Sequence, residues 1–233
     1  MLTEKYIHGG ILLTLTEEAL PEILADPIRE RWQLDEEDDT VENLLREAAL
    51  LSDAGGFLRP ARVDAVSDVC VTLDGFPFRS ELAAEKLHTP GMQAVGYVIT
   101  CGRGLYDARN RWNGDFVAEA IWDEIMIAYL RLAGDRLHTY IETHFFPKTD
   151  GKKSYAALNP GSLPAWDIFG QRELFALLGD GAGAAGVELT ESMLMLPTKS
   201  GSGIFFPADE PYENCMHCPR IDCPNRRAPY AGD

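Results

Sequence analysis

Three of the five cysteines lie close together near the end of the chain, as Cys215, Cys218 and Cys223 with the spacing C-x2-C-x4-C. Thiols at such short spacings form disulfides or bind zinc or an iron–sulfur cluster. The cysteine count is odd, and the N-terminal residues carry acids early without a small-residue cleavage site. We therefore expect a mature chain in a reducing cytoplasm, where close cysteine spacings more often indicate metal than disulfides.

Two kinds of metal site fit this spacing. An iron–sulfur cluster takes up to four thiolates, so a fourth must come from Cys101, at the end of a predicted strand, or from Cys70. Zinc prefers four nitrogen or sulfur ligands, and His217 is the alternative fourth ligand for that metal. Both Cys101 and Cys70 also fit as small core residues. The tail is rich in arginine, including Arg220 and Arg226, and basic groups lower the pKa of neighbouring thiols.

The overall composition excludes some classes of function. The formal net charge of −16 argues against a nucleic-acid partner, which would require a basic surface. No apolar run approaches the length of about 18 residues that a membrane span requires, so no membrane partner is expected. The 233 residues are 45% hydrophobic, which is enough to bury a sizeable core.

Hydrophobic periodicity predicts a mixed order of helices and strands. The strongest helix covers residues 115–142, and the run over 92–100 is typical of a strand that is buried on both faces. The segment 146–167 is predicted to be a polar connector, because its prolines and glycines interrupt regular structure. Further helices are predicted over 40–54, 80–88 and 170–179, and further strands over 66–73, 187–197 and 202–206.

The string GAGAAG at residues 181–186 matches the dinucleotide-binding pattern G-x-G-x-x-G. That pattern binds phosphate only when a strand precedes it and a helix follows, so that the ligand meets the helix N-terminus. Here a predicted helix precedes the glycines and a predicted strand follows them. We therefore expect a flexible connector from helix to strand.

The segment 157–206 resembles the activation domain of cobalamin-dependent methionine synthase. The resemblance rests on a Pro-Gly loop, a short helix that ends in paired leucines, and three motifs that follow. It extends more weakly over most of residues 65–212, through YVITCGRG and GDFVAEAIWDEI. The matching residues are Pro160-Gly161, Leu177-Leu178, Thr190-Glu191-Ser192, Met195-Leu196-Pro197 and Ser200-Gly201-Ser202-Gly203.

The resemblance implies an α+β fold, in which helices flank a twisted, mainly antiparallel sheet. It divides the chain into an N-terminal helical or α+β extension (1–64), an activation-like domain (65–212) and a cysteine-rich tail (213–233). Such domains bind S-adenosylmethionine and dock over a corrinoid protein. They support its reductive reactivation, in which an electron donor reduces the cobalt and S-adenosylmethionine supplies a methyl group. The corrinoid must here belong to a separate partner protein.

The resemblance also places the cofactor-binding residues. A Pro-Gly loop brings backbone groups close to a ligand, and a carboxylate or a tyrosine suits a sulfonium compound. The predicted set is Asn159, Pro160, Gly161, Ser162, Glu191 and Tyr212.

Two positions depart from the family pattern. The family carries an arginine three residues before the proline and a tyrosine after the glycine, where this chain has Ala157 and Ser162. The contact to the ligand carboxylate that the arginine would make is therefore lost or moved to Lys152, Lys153 or Lys199.

Two functions of different classes follow from these observations. The first is an S-adenosylmethionine-dependent reactivator of a corrinoid protein, and its need for an electron favours an iron–sulfur relay in the tail over zinc. The second is a non-catalytic module that binds a corrinoid protein and carries a structural zinc. The sequence leaves open whether the chain is itself an enzyme.

Overall fold

The computed structural model describes residues 2–15, 21–34 (21–24 by backbone only), 39–148, 150–210, 212–223 and 226–232. The strands are β1 Leu2–Ile7, β2 Gly10–Leu15, β3 Gly55–Ser67, β4 Cys70–Leu73, β5 Phe76–Arg79, β6 Gln93–Thr100, β7 Tyr155–Leu158, β8 Glu188–Leu189, β9 Met195–Leu196 and β10 Ser200–Pro207. The α-helices are α1 Pro21–Trp32, α2 Thr40–Leu51, α3 Glu81–Lys86, α4 Arg103–Ala108, α5 Phe116–His144, α6 Gln171–Leu178 and α7 Asp180–Ala184. Short 3₁₀ turns lie at Arg109–Trp112, Ile168–Gly170 and Asn214–Met216.

Within the described residues, eight strands form one sheet with the order β1-β2-β3-β6-β10-β7, and β4 and β5 extend it from β3. These pairings are antiparallel. The first part of β3 pairs with β6, and its second part pairs with β4 after a register shift between Val63 and Ala65. The α+β fold with a mainly antiparallel sheet is thus confirmed, and β7 forms one edge of the sheet.

The sheet is covered on both faces, because strand residues alternate between two hydrophobic clusters. On one face, Tyr97 of β6 and Phe205 of β10 pack against Leu137 and Ile141 of α5. The other face packs under α6 and α7, and its cluster includes Phe57, Val98, Ile204, Leu174, Leu177, Leu178 and Ala182. We refer to these as the α5 face and the α6 face.

The first half of α5 packs against α2 and α4 in a separate cluster, which includes Leu44, Leu105, Ile121 and Ile125. Asp115 caps the start of α5 by accepting a hydrogen bond from the Ala118 N–H at 3.0 Å, which satisfies one of the free donors of the first turn. The long helix therefore joins the N-terminal helices to the sheet, and the prediction of a helix over 115–142 is confirmed.

Four sequence expectations were wrong in detail. The predicted strand over 66–73 is divided by a turn at residues 68–69, which joins the end of β3 to β4. The connector over 146–167 contains the edge strand β7, because Tyr155–Leu158 finds an open edge of β10 to pair with. The predicted strand over 187–197 is a hairpin of β8 and β9. The glycines of residues 181–186 are not a flexible connector, since most of them lie in α7.

The predicted boundary between residues 64 and 65 lies inside β3, and β1 and β2 belong to the same sheet as the later strands. The division of the chain into three folding units therefore stays a prediction. Among the described residues, no helix has the length and apolarity needed to cross a membrane.

The α7 helix provides a matched pair of glycines that tests how closely it packs. A Cβ at Gly181 would lie 2.1 Å from the buried ring of Phe57, whereas a Cβ at Gly183 meets nothing within 4 Å. We expect Gly181→Ala to lower the free energy of unfolding by about 1–3 kcal/mol through overpacking. Gly183→Ala should leave it unchanged or raise it by up to about 1 kcal/mol through helix propensity.

Urea unfolding followed by circular dichroism measures both variants. Equal stabilities of Gly181→Ala and Gly183→Ala would contradict the packing of α7 against Phe57.

Candidate functional site

The Pro-Gly loop follows the edge strand β7 directly and forms a tight turn. Gly161 has a φ of +80°, its N–H donates to the carbonyl of Trp166 at 2.8 Å, and the Ser162 N–H donates to the carbonyl of Asn159 at 3.1 Å. A Cβ at Gly161 would lie 2.5 Å from Cδ1 of Ile168. The glycine is thus needed for its backbone conformation and for the approach of Ile168, whether or not a ligand binds here.

Asn159, the first residue of the predicted site, is hydrogen-bonded at both ends of its amide. Its Nδ2 donates to the hydroxyl of Tyr97 and to the carbonyl of Ser202, each at 2.6 Å. Its Oδ1 accepts a hydrogen bond from Nδ2 of Asn214 at 2.8 Å. Asn159 therefore ties the loop to β6, to β10 and to the C-terminal tail, which we define as residues 213–223 and 226–232.

The α5 face beside Asn159 carries a group of aromatic and titratable side chains. Tyr97 stacks on Phe205 with ring centroids 4.3 Å apart, and burial raises the pKa of Tyr97. Nδ1 of His138 lies 3.1 Å from the hydroxyl of Tyr155, and burial, together with Lys153, lowers the pKa of His138. His138 is therefore neutral at pH 7.

Sequence reasoning missed this group. His138 lies within the predicted helix over 115–142, and Tyr155 lies within the predicted connector over 146–167. The available signal was the short run YAAL, which becomes β7 and brings Tyr155 next to the second half of α5.

Tyr212 packs toward the α6 face. Its ring is 6.3 Å from that of Phe206 and 5.5 Å from that of His217, and Nζ of Lys86 lies 5.0 Å from its centroid. Burial and the nearby Glu85 raise the pKa of Tyr212 to about 12. The Tyr212 hydroxyl is buried and has no hydrogen-bond partner among the described residues.

Glu191 is not brought to the Pro-Gly loop by any contact in the described part of the chain. It is exposed at the turn between β8 and β9, where Thr190 accepts a hydrogen bond from the Leu194 N–H at 3.0 Å. The structure therefore places Asn159, Pro160, Gly161 and Ser162 in one loop, and the roles of Glu191 and Tyr212 in the site stay predictions.

The lysines predicted to replace the missing arginine lie at different places. Nζ of Lys153 is 3.7 Å from a carboxylate oxygen of Glu213 and 4.6 Å from the ring centroid of Tyr155, next to the aromatic group. Lys199 pairs with Asp123 at 2.9 Å. Lys153 therefore lies beside Tyr155 and the start of the tail.

The tail is organised around the side chain of Arg226. Its guanidinium donates to the carbonyls of Cys215, Cys218 and three further residues. The backbone closes the same loop, since the Ala231 N–H donates to the carbonyl of Met216 at 2.9 Å. The three other carbonyls belong to Arg220, Ile221 and Ala228.

The predicted metal ligands are not gathered in this structure. Within the described residues, no group of three or more His, Cys, Asp or Glu side chains is placed to hold a metal ion. The tail cysteines are partly exposed, and Cys101 is fully buried in the cluster of α2, α4 and α5. The set Cys215, Cys218, Cys223 and Cys101 therefore stays a prediction.

No protein-family model and no curated protein matches the sequence. Among solved structures, a crystal structure of the MetH reactivation domain bound to AdoHcy matches with a TM-score of 0.62 and 15% sequence identity. The match covers 84% of this chain and 70% of that chain. The chain shares the fold of the MetH reactivation domain. The resemblance in the sequence to the methionine synthase activation domain is thus confirmed at the level of the fold.

The cysteines allow a direct test of the placement of Cys101. Burial, with the nearby Asp53, raises the pKa of Cys101 to about 12, so this thiol is neutral and shielded at pH 8. We expect an aromatic disulfide reagent to modify Cys70 and the three tail cysteines of the metal-free protein quickly, and Cys101 only after unfolding.

Mass spectrometry of peptides after timed quenching identifies the modified thiols. The Cys101→Ala variant is the control, because it should retain all four fast reactions. Modification of Cys101 at the rate of the tail cysteines would contradict its burial.

Proposed function

We propose that this protein supports the reductive reactivation of a separate corrinoid protein, with S-adenosylmethionine as the methyl donor. The observation that carries the proposal is the fold shared with a reactivation domain that was crystallised with AdoHcy, the compound that S-adenosylmethionine becomes when it loses its methyl group. The motifs of the Pro-Gly loop and of β10 support the same assignment.

The polar side chains near Asn159 are compatible with a sulfonium ligand that also carries a carboxylate. The aromatic rings of Tyr97, Tyr155 and Phe205 belong to the buried core under α5 and pack on one another, so they present no open face to a cation. His138 is neutral, so it does not repel a positive charge. In this proposal Lys153 takes the role of the missing arginine and binds the ligand carboxylate as a single charge, which is a weaker contact than a two-pronged guanidinium.

The proposed reaction consumes one electron, which a donor protein supplies. The electron converts Co(II) of the partner's corrinoid to Co(I). The electron pair of Co(I) then forms a bond to the methyl carbon while the bond from that carbon to sulfur breaks, which gives methyl-Co(III) and releases AdoHcy with the electron pair on sulfur. The share of this chain is to bind and orient the methyl donor and to dock the partner.

Binding and methyl transfer are measured separately. We expect calorimetry to detect binding of S-adenosylmethionine to the protein. When Co(II) corrinoid protein and a reductant are added, we expect the absorbance spectrum of methylated cobalt to appear. Binding without methylation would favour the alternative, a non-catalytic module for a corrinoid protein. The absence of binding would overturn the proposal.

The role of Glu191 has its own test with a matched control. If its carboxylate contacts the ligand cation, Glu191→Gln should weaken binding by about tenfold, as expected for the loss of a charge-assisted contact. Glu210→Gln changes another exposed acid and should leave the affinity unchanged. Equal affinities of the two variants would remove Glu191 from the site.

The tail is proposed to bind an iron–sulfur cluster, or alternatively zinc, through Cys215, Cys218 and Cys223. The described residues do not gather these thiols, so no step of the proposed reaction is derived from the metal. We expect oxygen-free preparations to contain stoichiometric iron and sulfide that are lost in Cys218→Ser. A colourless protein that contains stoichiometric zinc would contradict the iron–sulfur cluster and support a zinc site in the tail.

The fourth ligand is tested by the same metal analysis. Cys101→Ala should lose metal if Cys101 is a ligand, and Cys70→Ala serves as the matched control. Full retention of metal in Cys101→Ala would remove this residue from the ligand set.

A further inference from the structure

We infer that the C-terminal tail is a lid over part of the proposed cofactor site, and that the lid must open before a ligand reaches the side chain of Asn159. This inference rests on the proposed function, because it concerns access to the same site. It is carried by the contacts that hold the tail, by the groups that the tail covers, and by the incomplete packing beneath it.

Polar contacts fasten the start of the tail to the body of the protein. Asn214 donates to Oδ1 of Asn159 at 2.8 Å, and Glu213 pairs with Lys153 at 3.7 Å. Lys153 precedes the edge strand β7 in the chain, and Asn159 follows it. The tail therefore crosses the edge of the sheet at the place where the candidate site begins.

The closed tail occupies the one polar atom of the Asn159 amide that the sheet leaves free, and its His217 ring stacks on Tyr212. The acceptor of the Asn159 amide is taken by Asn214, and the donor is taken by Tyr97 and Ser202. Pro160 is buried, and so is the hydroxyl of Tyr212. In this arrangement only Gly161 and Ser162 of the loop are exposed.

Arg226 makes the tail a single unit. Its donors hold the carbonyls of Cys215 at one end of the loop and Ala228 at the other, with Cys218 between them. A guanidinium with several bonds of this kind is a rigid fork, so its removal releases the loop as a whole. The tail therefore opens and closes as one body for as long as Arg226 is present.

The tail does not pack against the body of the protein along its whole length. A cavity of about 420 Å³ lies between its His217, Pro219 and Tyr230 and the opposing residues of α3 and the loop 163–165. No described residue of the tail is fully buried. Opening therefore exposes little apolar surface, which places this segment at the low-stability end of the structure.

The experiment compares two arginines of the tail. Arg226→Ala removes the guanidinium that holds the carbonyls of the tail. Arg220→Ala is the matched control, because Arg220 is exposed and its side chain makes no contact in the described structure. Hydrogen exchange followed by mass spectrometry reports whether the tail is closed, and calorimetry with S-adenosylmethionine reports the affinity of the site. Asn214→Ala is a second variant, which removes the hydrogen bond between the tail and Asn159 but keeps the contacts of Arg226.

An affinity measured on a mostly closed protein is reduced by the fraction of open molecules. We expect Arg226→Ala and Asn214→Ala to accelerate exchange in the tail and to tighten binding of S-adenosylmethionine by about three- to tenfold, while Arg220→Ala matches the wild type. Added S-adenosylmethionine should also accelerate exchange of the wild-type tail.

The opposite results separate the two proposals. Weaker binding in both release variants, or slower tail exchange with ligand, would overturn the lid and make the tail a wall of the site. Unchanged binding despite fast tail exchange would also overturn the lid. If neither the wild type nor any variant binds S-adenosylmethionine, the proposed function fails and the lid fails with it.

Discussion

The candidate site depends on the hydrogen bonds that the side-chain amide of Asn159 makes. An edge strand leaves a row of backbone donors and acceptors without partners, and proteins cover such edges to prevent pairing with other chains. Here the edge strand β7 is only four residues long, and the chain turns away at Asn159. The amide then joins β6, β10 and the tail at one point, so the position of the loop and the covering of the edge have a common cause.

The same constraint explains Gly203 of β10. Gly201 and Gly203 face α5, whereas Ser202 points to the α6 face and donates to Oε1 of Gln171 at 2.9 Å. A Cβ at Gly203 would lie 2.4 Å from Nδ2 of Asn159, so any larger residue would displace the amide. Gly203 of the Ser-Gly-Ser-Gly string, which carries much of the resemblance to the activation domain, is thus required by the packing of this edge before any ligand is considered.

The sequence predicted the elements whose periodicity is long or continuous. The helix over 115–142 and the strand over 92–100 were confirmed because many residues repeat the same pattern. The four residues of β7 are too few to show a pattern, and their strand conformation depends on a partner that is distant in sequence, β10. The prediction of one strand over 187–197 was wrong because the segment turns at Thr190 and pairs with itself as the hairpin of β8 and β9.

The candidate site divides along the same line. The loop at residues 159–162 was predicted from a local motif, and local hydrogen bonds do form it. The neighbours that give the site its chemistry, His138 and Tyr155, come together only through tertiary contacts between α5 and β7. A histidine inside a long helix carries no local signal of this kind. Its neutral state follows from burial among aromatic rings, which a single sequence does not reveal.

The tail shows that a cysteine cluster can be ordered by something other than its thiols. Backbone carbonyls of the cysteine loop converge on the guanidinium of Arg226, and carbonyl oxygens that face inward satisfy a cation without a metal. One thiol does have a backbone neighbour of the kind found around bound sulfur, since the Arg227 N–H lies 3.5 Å from Sγ of Cys215. Arg226 can therefore hold the backbone of the loop in place whether or not the thiols carry metal. The order of the tail and its metal content are then separate properties, and the first belongs to the arginine.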